Sequence, residues 1–550
     1  MIVRALLVLV LLAIPWAAAA RGTEDLKAGN DAAGRGEVET AIGHYTRAID
    51  DRTLTPQQLS LALRSRASLY LNTGQHDRAI RDLDAAIRLD PSDAGAFNNR
   101  GHAYSSRGEY PKAIEDYTAA LRLDPSLAEA YYNRGLAYRR MEDFDRAISD
   151  YDVVIRLNPY DASAFNNRGN AHSAKSEWDR AIQDYDVAVK LNASFADAYY
   201  NRGVAFRRKG QHDKAIADFE AAIRINPNDS MALTNRGFAL SLKREHDRAI
   251  QDYDAAIRLD PGNAVAFYYR GNVYRDKGEL DRAVLDYDVA IGLDRNYALA
   301  YNNRGVAYTL KREFDRAIQD YDVAIGLEPT NALFYVNRGL SYAGKGDWER
   351  AIQDYDTSLS LTPNQGEVVF ERGTALTMQG QWDQAIRDFD LATGLNDKNA
   401  AAFFSRGRVR FYLGQFTIAQ PDLQKAIELA NGNPYNPLWL YVARTRSGQD
   451  ARNELAAHAK RLNLPRWPAP LYALFLDNTT PATVLALAVD GDADRHRQQL
   501  CEAYFFLGQY AVIRDEGEEA VRLFKSAAST CSTLTRDYVS TQVELKRLGR

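Results

Sequence analysis

The chain has 550 residues, 46% of them hydrophobic, a formal charge of −4 at pH 7 and a pI near 6.1. That balance supplies no net basic field with which to hold nucleic acid or an anionic membrane surface. Two cysteines and eight scattered histidines show no metal-ligand spacing, so neither a metal nor another cofactor is expected.

The N-terminus differs from everything after it. Met1 to Arg4 carries one positive charge, Ala5 to Ile14 is continuously apolar, and Ala17 to Ala20 offers small-x-small cleavage sites. This pattern predicts a signal peptide over residues 1–20. An uncleaved membrane anchor is the alternative, but the apolar stretch falls short of the roughly 20 residues a membrane span needs, so no span is expected. The mature chain is expected to be soluble in an oxidising compartment.

Ten glycines then stand 34 residues apart, from Gly101 and Gly135 through to Gly373 and Gly407. A fixed period of that length marks a stacked repeat. The first of these units carries Phe97, Gly101, Tyr104, Ala113, Tyr117, Ala120 and Pro125. Those residue types at those offsets resemble the tetratricopeptide repeat (TPR). The resemblance implies an all-α fold, a right-handed superhelical solenoid of antiparallel helix pairs A and B. The regular units run from residue 60 to 433, preceded by a degenerate unit near 22–55, which gives an array over 22–433. Residues 434–500 carry six prolines and read as irregular helices. A final hairpin and a capping helix follow over 501–550.

Positions 2, 5, 9 and 12 of helix A share one face, and the resemblance makes that face the ligand groove. It carries Tyr132 and Arg139, Tyr200 and Arg207, Tyr268 and Arg275 in units that alternate with smaller polar ones, which repeats the array as 68-residue pairs. Further on the face turns apolar, with Met231, Leu299, Leu333 and Leu340. Such a surface suits a peptide with carboxylate groups at one end and apolar anchors at the other; solvated arginines beside buried apolar residues are the alternative. Position 6 is asparagine at Asn133, Asn167, Asn201 and Asn235, a row that resembles the asparagine ladder of the protein O-linked N-acetylglucosamine transferases. Either these amides bind a peptide main chain, or they bind neighbouring helix ends.

Position 7 is arginine and position 23 aspartate in every regular unit, as in Arg202 and Asp218. Where one is missing the other is missing too: the first unit has Ala28 and His44, the final hairpin Leu507 and Leu523. That covariation predicts a structural ion pair, within a repeat or to its neighbour. Cys501 and Cys531 stand at the two ends of the final hairpin, which antiparallel helices bring together. A disulfide is expected there; two small buried side chains are the alternative.

The stretch from Leu438 to Leu548 resembles the end of the new lipoprotein I (NlpI-like) family of periplasmic repeat proteins. The residues that carry this are Leu438-Trp439-Leu440-Tyr441, Tyr504-Phe505-Phe506-Leu507-Gly508-Gln509-Tyr510, and Glu544-Leu545-Lys546-Arg547-Leu548. The resemblance implies a periplasmic homodimer that serves as an adaptor for envelope proteases and peptidoglycan hydrolases. The chain departs from it in having a longer array and no lipidated cysteine. The sequence thus points to a secreted, non-enzymatic scaffold for protein or peptide partners. Two alternatives stand beside it: a cytosolic co-chaperone that uses the arginines as a carboxylate clamp, and an enzyme with its site in 434–500.

Overall fold

The computed structural model describes residues 21–488 and 492–549. The signal peptide expected over 1–20 lies outside the described residues. Among those described, every regular element is a helix, and successive helices pair into antiparallel hairpins. The chain divides into two compact units, Met1–Pro261 and Gly262–Arg550, so the boundary falls inside the repeat array.

One hairpin shows how the sequence builds the rest. The Asp161 side chain accepts from the Ala164 backbone N–H at 3.0 Å and caps the Ala162–Ala174 helix. The chain reverses at Ser176, whose φ is 60°, and re-enters as the Trp178–Leu191 helix. Gly108 and Gly210 hold that turn position in their own repeats with φ of 78° and 72°, the conformation glycine adopts without strain. The periodic glycine sits where helix A crosses helix B. A methyl group on Gly169 would lie 2.6 Å from the Tyr185 ring, and one on Gly203 2.8 Å from the Phe219 ring. Glycine on one helix and an aromatic ring on the other fill the crossing between them, with fully buried Ala171, Ala181 and Ala188 beside it.

Gly203→Ala therefore overpacks the crossing and is expected to cost about 1–3 kcal/mol. Gly292→Ala in helix Leu280–Leu293, where an added Cβ meets nothing within 4 Å, is expected to stabilise by about 0.5–1 kcal/mol. Urea titrations followed by circular dichroism compare the two; equal shifts of the same sign would contradict this packing.

Two ladders of charge tie each hairpin together and to its neighbour. Arg202 donates from Nε and Nη2 to the two Asp218 oxygens at 2.7 and 2.6 Å, and from Nη1 to Asp186 of the preceding repeat at 2.7 Å. Arg100, Arg168, Arg304, Arg338, Arg372 and Arg406 make the same three contacts. A single guanidinium thus pairs both within its repeat and to its neighbour. In the first, degenerate repeat His44 hydrogen-bonds Asp25 at 2.8 Å instead. The second ladder runs along the surface. Lys175 pairs with Asp145 at 2.5 Å and Lys311 with Asp281 at 2.8 Å, and Lys209 with Asp179 and Lys345 with Asp315 repeat the pattern. The helix dipole alone accounts for aspartates in those first turns; the neighbouring lysine is a further partner.

Beyond the array, helix Tyr435–Arg446 packs on helix Phe416–Leu429, and Trp439 stacks on Phe505 with ring centroids 5.3 Å apart. Helices Ala493–Ile513 and Gly517–Thr530 form the last hairpin, closed by the Cys501–Cys531 disulfide across a Cα separation of 4.9 Å.

Candidate functional site: the helix-A face

In the unit Met1–Pro261, the A helices Ala94–Ser106, Ala128–Arg140, Ala162–Ala174, Ala196–Arg208 and Ser230–Leu242 touch one after another. Their shared face is floored by tyrosines and amides. The Tyr132 ring leans edge-on against Tyr151 at 6.0 Å, and its hydroxyl accepts from Asn167 Nδ2 at 2.9 Å. The Tyr200 ring is tilted against Phe219 at 5.9 Å, and its hydroxyl accepts from Asn235 Nδ2 at 3.1 Å. In the alternate repeats Asn201 donates to Asn166 Oδ1 at 3.1 Å and Asn133 to Asn98 Oδ1 at 3.5 Å.

The asparagines therefore bind one another's neighbours across the repeats, not helix ends. Asn167 and Asn235 place their second amide hydrogen on the Ser163 and Met231 carbonyls, each at 2.9 Å. With both donors used, the group each of these two amides has left is its carbonyl oxygen, an acceptor.

The arginines differ from one another. Arg139 is half-buried, its Nε–H is buried with no acceptor, and among the described residues no carboxylate pairs with it. Its charge acts on the hydroxyls of Tyr132, Tyr151 and Tyr185, although burial is the larger influence and holds all three above the usual tyrosine range. Arg207 is half-buried as well and lies over the Phe238 ring at 4.9 Å. Arg140 and Arg208 beside them are exposed.

In the unit Gly262–Arg550, two of the sequence candidates are occupied by the protein itself. Tyr268 is buried among Tyr269, Tyr287 and Tyr297, and its hydroxyl accepts from Asn303 at 3.0 Å. Arg275 donates to Asp276 on its own helix at 2.9 and 3.2 Å, so its charge is already met. The Tyr–Arg motif reads alike in three repeats, but the carboxylate at 276 and the extra rings at 269 and 297 change what the third one offers. On the same face Leu299, Leu333 and Leu340 are exposed, as is Met231 in the other unit.

Family models described as TPR repeat match residues 67–108, 101–142, 174–210 and 271–311. Models described as tetratricopeptide repeat match 128–161, 196–229, 219–251, 252–284, 298–331 and 332–365. Together they cover more than half of the chain. The chain belongs to the tetratricopeptide repeat proteins. Among solved structures it is similar to YrrB, described as a TPR protein with an unusual peptide-binding site, at 27% identity and a TM-score of 0.30, over 34% of this chain and 95% of that one. A tetratricopeptide repeat protein from Parabacteroides merdae matches at 21% identity and a TM-score of 0.38, over 46% of this chain and 99% of that one. The Cut9–Hcn1 hetero-tetramer of the APC/C matches at 15% identity and a TM-score of 0.42, over 77% and 96%.

The end of this TPR chain folds back on its own A helices. Helix Arg536–Arg547 lies against helix Ala400–Tyr412 as well as against the last hairpin. Its polar side meets the repeats: Arg536 donates to Ser405 Oγ at 3.1 Å, and Arg408 donates to Ser540 Oγ at 2.8 Å and to Asp537 at 3.2 Å. Arg547 donates to the Phe411 and Tyr412 carbonyls at 3.0 and 2.9 Å. Helix Arg536–Arg547 thus covers part of the A face of the last regular TPR. Among the described residues no three His, Cys, Asp or Glu side chains are grouped to hold a metal ion, and no helix is long and apolar enough to cross a membrane.

Proposed function

We propose that this protein is a non-catalytic scaffold that binds protein or peptide partners on the helix-A face of its first unit. The observation that carries the reading is Arg139: a half-buried guanidinium that, among the described residues, has no acidic partner and a buried Nε–H without an acceptor. A cation with no carboxylate beside it among the described residues favours a ligand that supplies one. Arg207 stands one 68-residue period on, Tyr132 and Tyr200 give apolar faces beside each, and the ladder of amides offers acceptors to an extended main chain. The ligand class is a peptide with an acidic or free-carboxylate end. Export to the periplasm is supported by the N-terminal pattern over 1–20 and by a disulfide suited to an oxidising compartment. The NlpI-like end of the sequence supports a role as an adaptor, in homodimeric form, for envelope proteases or peptidoglycan hydrolases.

Fluorescence anisotropy with a panel of acidic-ended and carboxamide-ended peptides tests the site. A charge-assisted contact contributes about 1.5–3 kcal/mol when desolvated. Arg139→Glu with Arg207→Glu is therefore expected to abolish binding of acidic-ended peptides at unchanged helicity. Arg275→Glu is expected to leave it nearly intact. Undiminished binding by the double variant would overturn the assignment.

A further inference from the structure

The irregular segment between the array and the last hairpin encloses a cavity of about 410 Å³ between helix Tyr435–Arg446, the loop at Arg466 and Trp467, and the start of helix Ala493–Ile513. Its floor is Glu502, whose residue exposure is 6%. The carboxylate is held in place by donors that carry no charge. Trp467 Nε1 and Tyr435 OH donate to Oε2 at 2.7 and 2.8 Å, and Gln498 Nε2 donates to Oε1 at 3.1 Å. Among the described residues no lysine, arginine or histidine pairs with it.

A second cavity of about 220 Å³ shares Tyr435, Gln498 and Glu502 and continues inward past Trp439 and Phe505 to Asp537. Asp537 already has a counter-ion in Arg408. The interior of the cleft therefore carries one uncompensated carboxylate, walled by aromatic rings. Burial, and to a smaller extent the charge of Asp537, hold the Glu502 carboxyl above its ordinary range. An ionised carboxylate in such a place is costly unless a cation joins it, and indole and phenol faces are the surfaces a cation favours. The rim has the opposite sign. Arg495 lines the mouth, is exposed, and among the described residues has no acidic partner.

We propose that this cleft binds a small zwitterion, an amino acid or short peptide whose ammonium group meets Glu502 between Trp467 and Tyr435 and whose carboxylate meets Arg495 at the rim. The polarity selects this class. A polycation is repelled at the mouth, an anion is repelled at the floor, and a neutral ligand leaves both charges unmet. The volume lies in the range of small-ligand sites and admits a dipeptide. The site is separate from the helix-A face of the first unit and does not depend on it.

Isothermal titration of the full chain with alanyl-alanine, N-acetyl-alanyl-alanine and alanyl-alanine amide tests it. Alanyl-alanine is expected to bind saturably, and the acetylated and amidated forms about 10- to 100-fold more weakly. Glu502→Gln, which keeps the side chain's shape and an acceptor oxygen for Trp467 and Tyr435, is expected to weaken alanyl-alanine by a similar factor, as is the exposed Arg495→Glu. Absence of saturable binding, equal affinity for the acetylated form, or unchanged affinity in either variant would overturn the proposal.

Discussion

Replacing Arg202 by leucine is expected to cost about 3–5 kcal/mol, because it leaves a buried carboxylate without its cation. Side-chain exposure is 16% for Arg202 and 8% for Asp218, and Asp218 receives both of its hydrogen bonds from that one guanidinium. Exposed pairs such as Lys175–Asp145 contribute only about 0–1 kcal/mol by comparison. Changing Asp218 to leucine as well is expected to restore most of the loss, since an apolar pair of similar volume can replace a buried ion pair. The last hairpin already uses this solution, with Leu507 and Leu523 buried at the equivalent positions.

The single variant's deficit also depends on pH. Burial already holds the Asp218 carboxyl above the usual carboxylate range against the pull of Arg202, and losing Arg202 raises it further. A folded-state pKa above the unfolded one means that stability falls as pH rises through it. The Arg202→Leu deficit is thus largest at neutral pH and shrinks on acidification. Because repeat arrays need not unfold in one step, urea titration should be paired with hydrogen exchange of helices Ala196–Arg208 and His212–Ile225. A double variant no better than the worse single one would show that the two residues are not coupled.

Reduction of the Cys501–Cys531 bond is expected to destabilise the C-terminal end by roughly 3–4 kcal/mol, the chain-entropy value for a loop of about 30 residues. The effect should be local, since each hairpin leans mainly on its neighbours. Intact mass before and after alkylation counts the free thiols, and urea unfolding with and without reductant reads the stability. Identical midpoints for the two forms would contradict it.

The fold was legible because its causes are local and repeated. The glycine period reports the crossing of helix A under the ring of helix B, as at Gly203 and Phe219. The joint loss of arginine and aspartate in the first and last hairpins reports the ion pair. Other features depend on residues with no fixed spacing between them. Asp186 and its equivalents, one repeat upstream, read as ordinary helix-surface aspartates although they complete the guanidinium's contacts. Tyr268 and Arg275 repeat a motif found twice before, and only their neighbours Tyr297 and Asp276 remove them from the open face. The return of helix Arg536–Arg547 joins Arg408 to Ser540 across 132 positions, with buried polar side chains beside the apolar ones that pack on the core. Glu502 sits in a hairpin sequence that reads as ordinary TPR, and only the irregular segment before it makes its surroundings a cleft.

On the proposed function, partners are held on the A helices of the first unit. Hydrogen exchange of the full chain, free and saturated with an acidic-ended peptide, tests it most directly. The expected result is new protection in Ala128–Arg140, Ala162–Ala174 and Ala196–Arg208, with helices Phe144–Leu157 and Trp178–Leu191 unchanged. Protection confined to those B helices, or to the unit Gly262–Arg550, would contradict it.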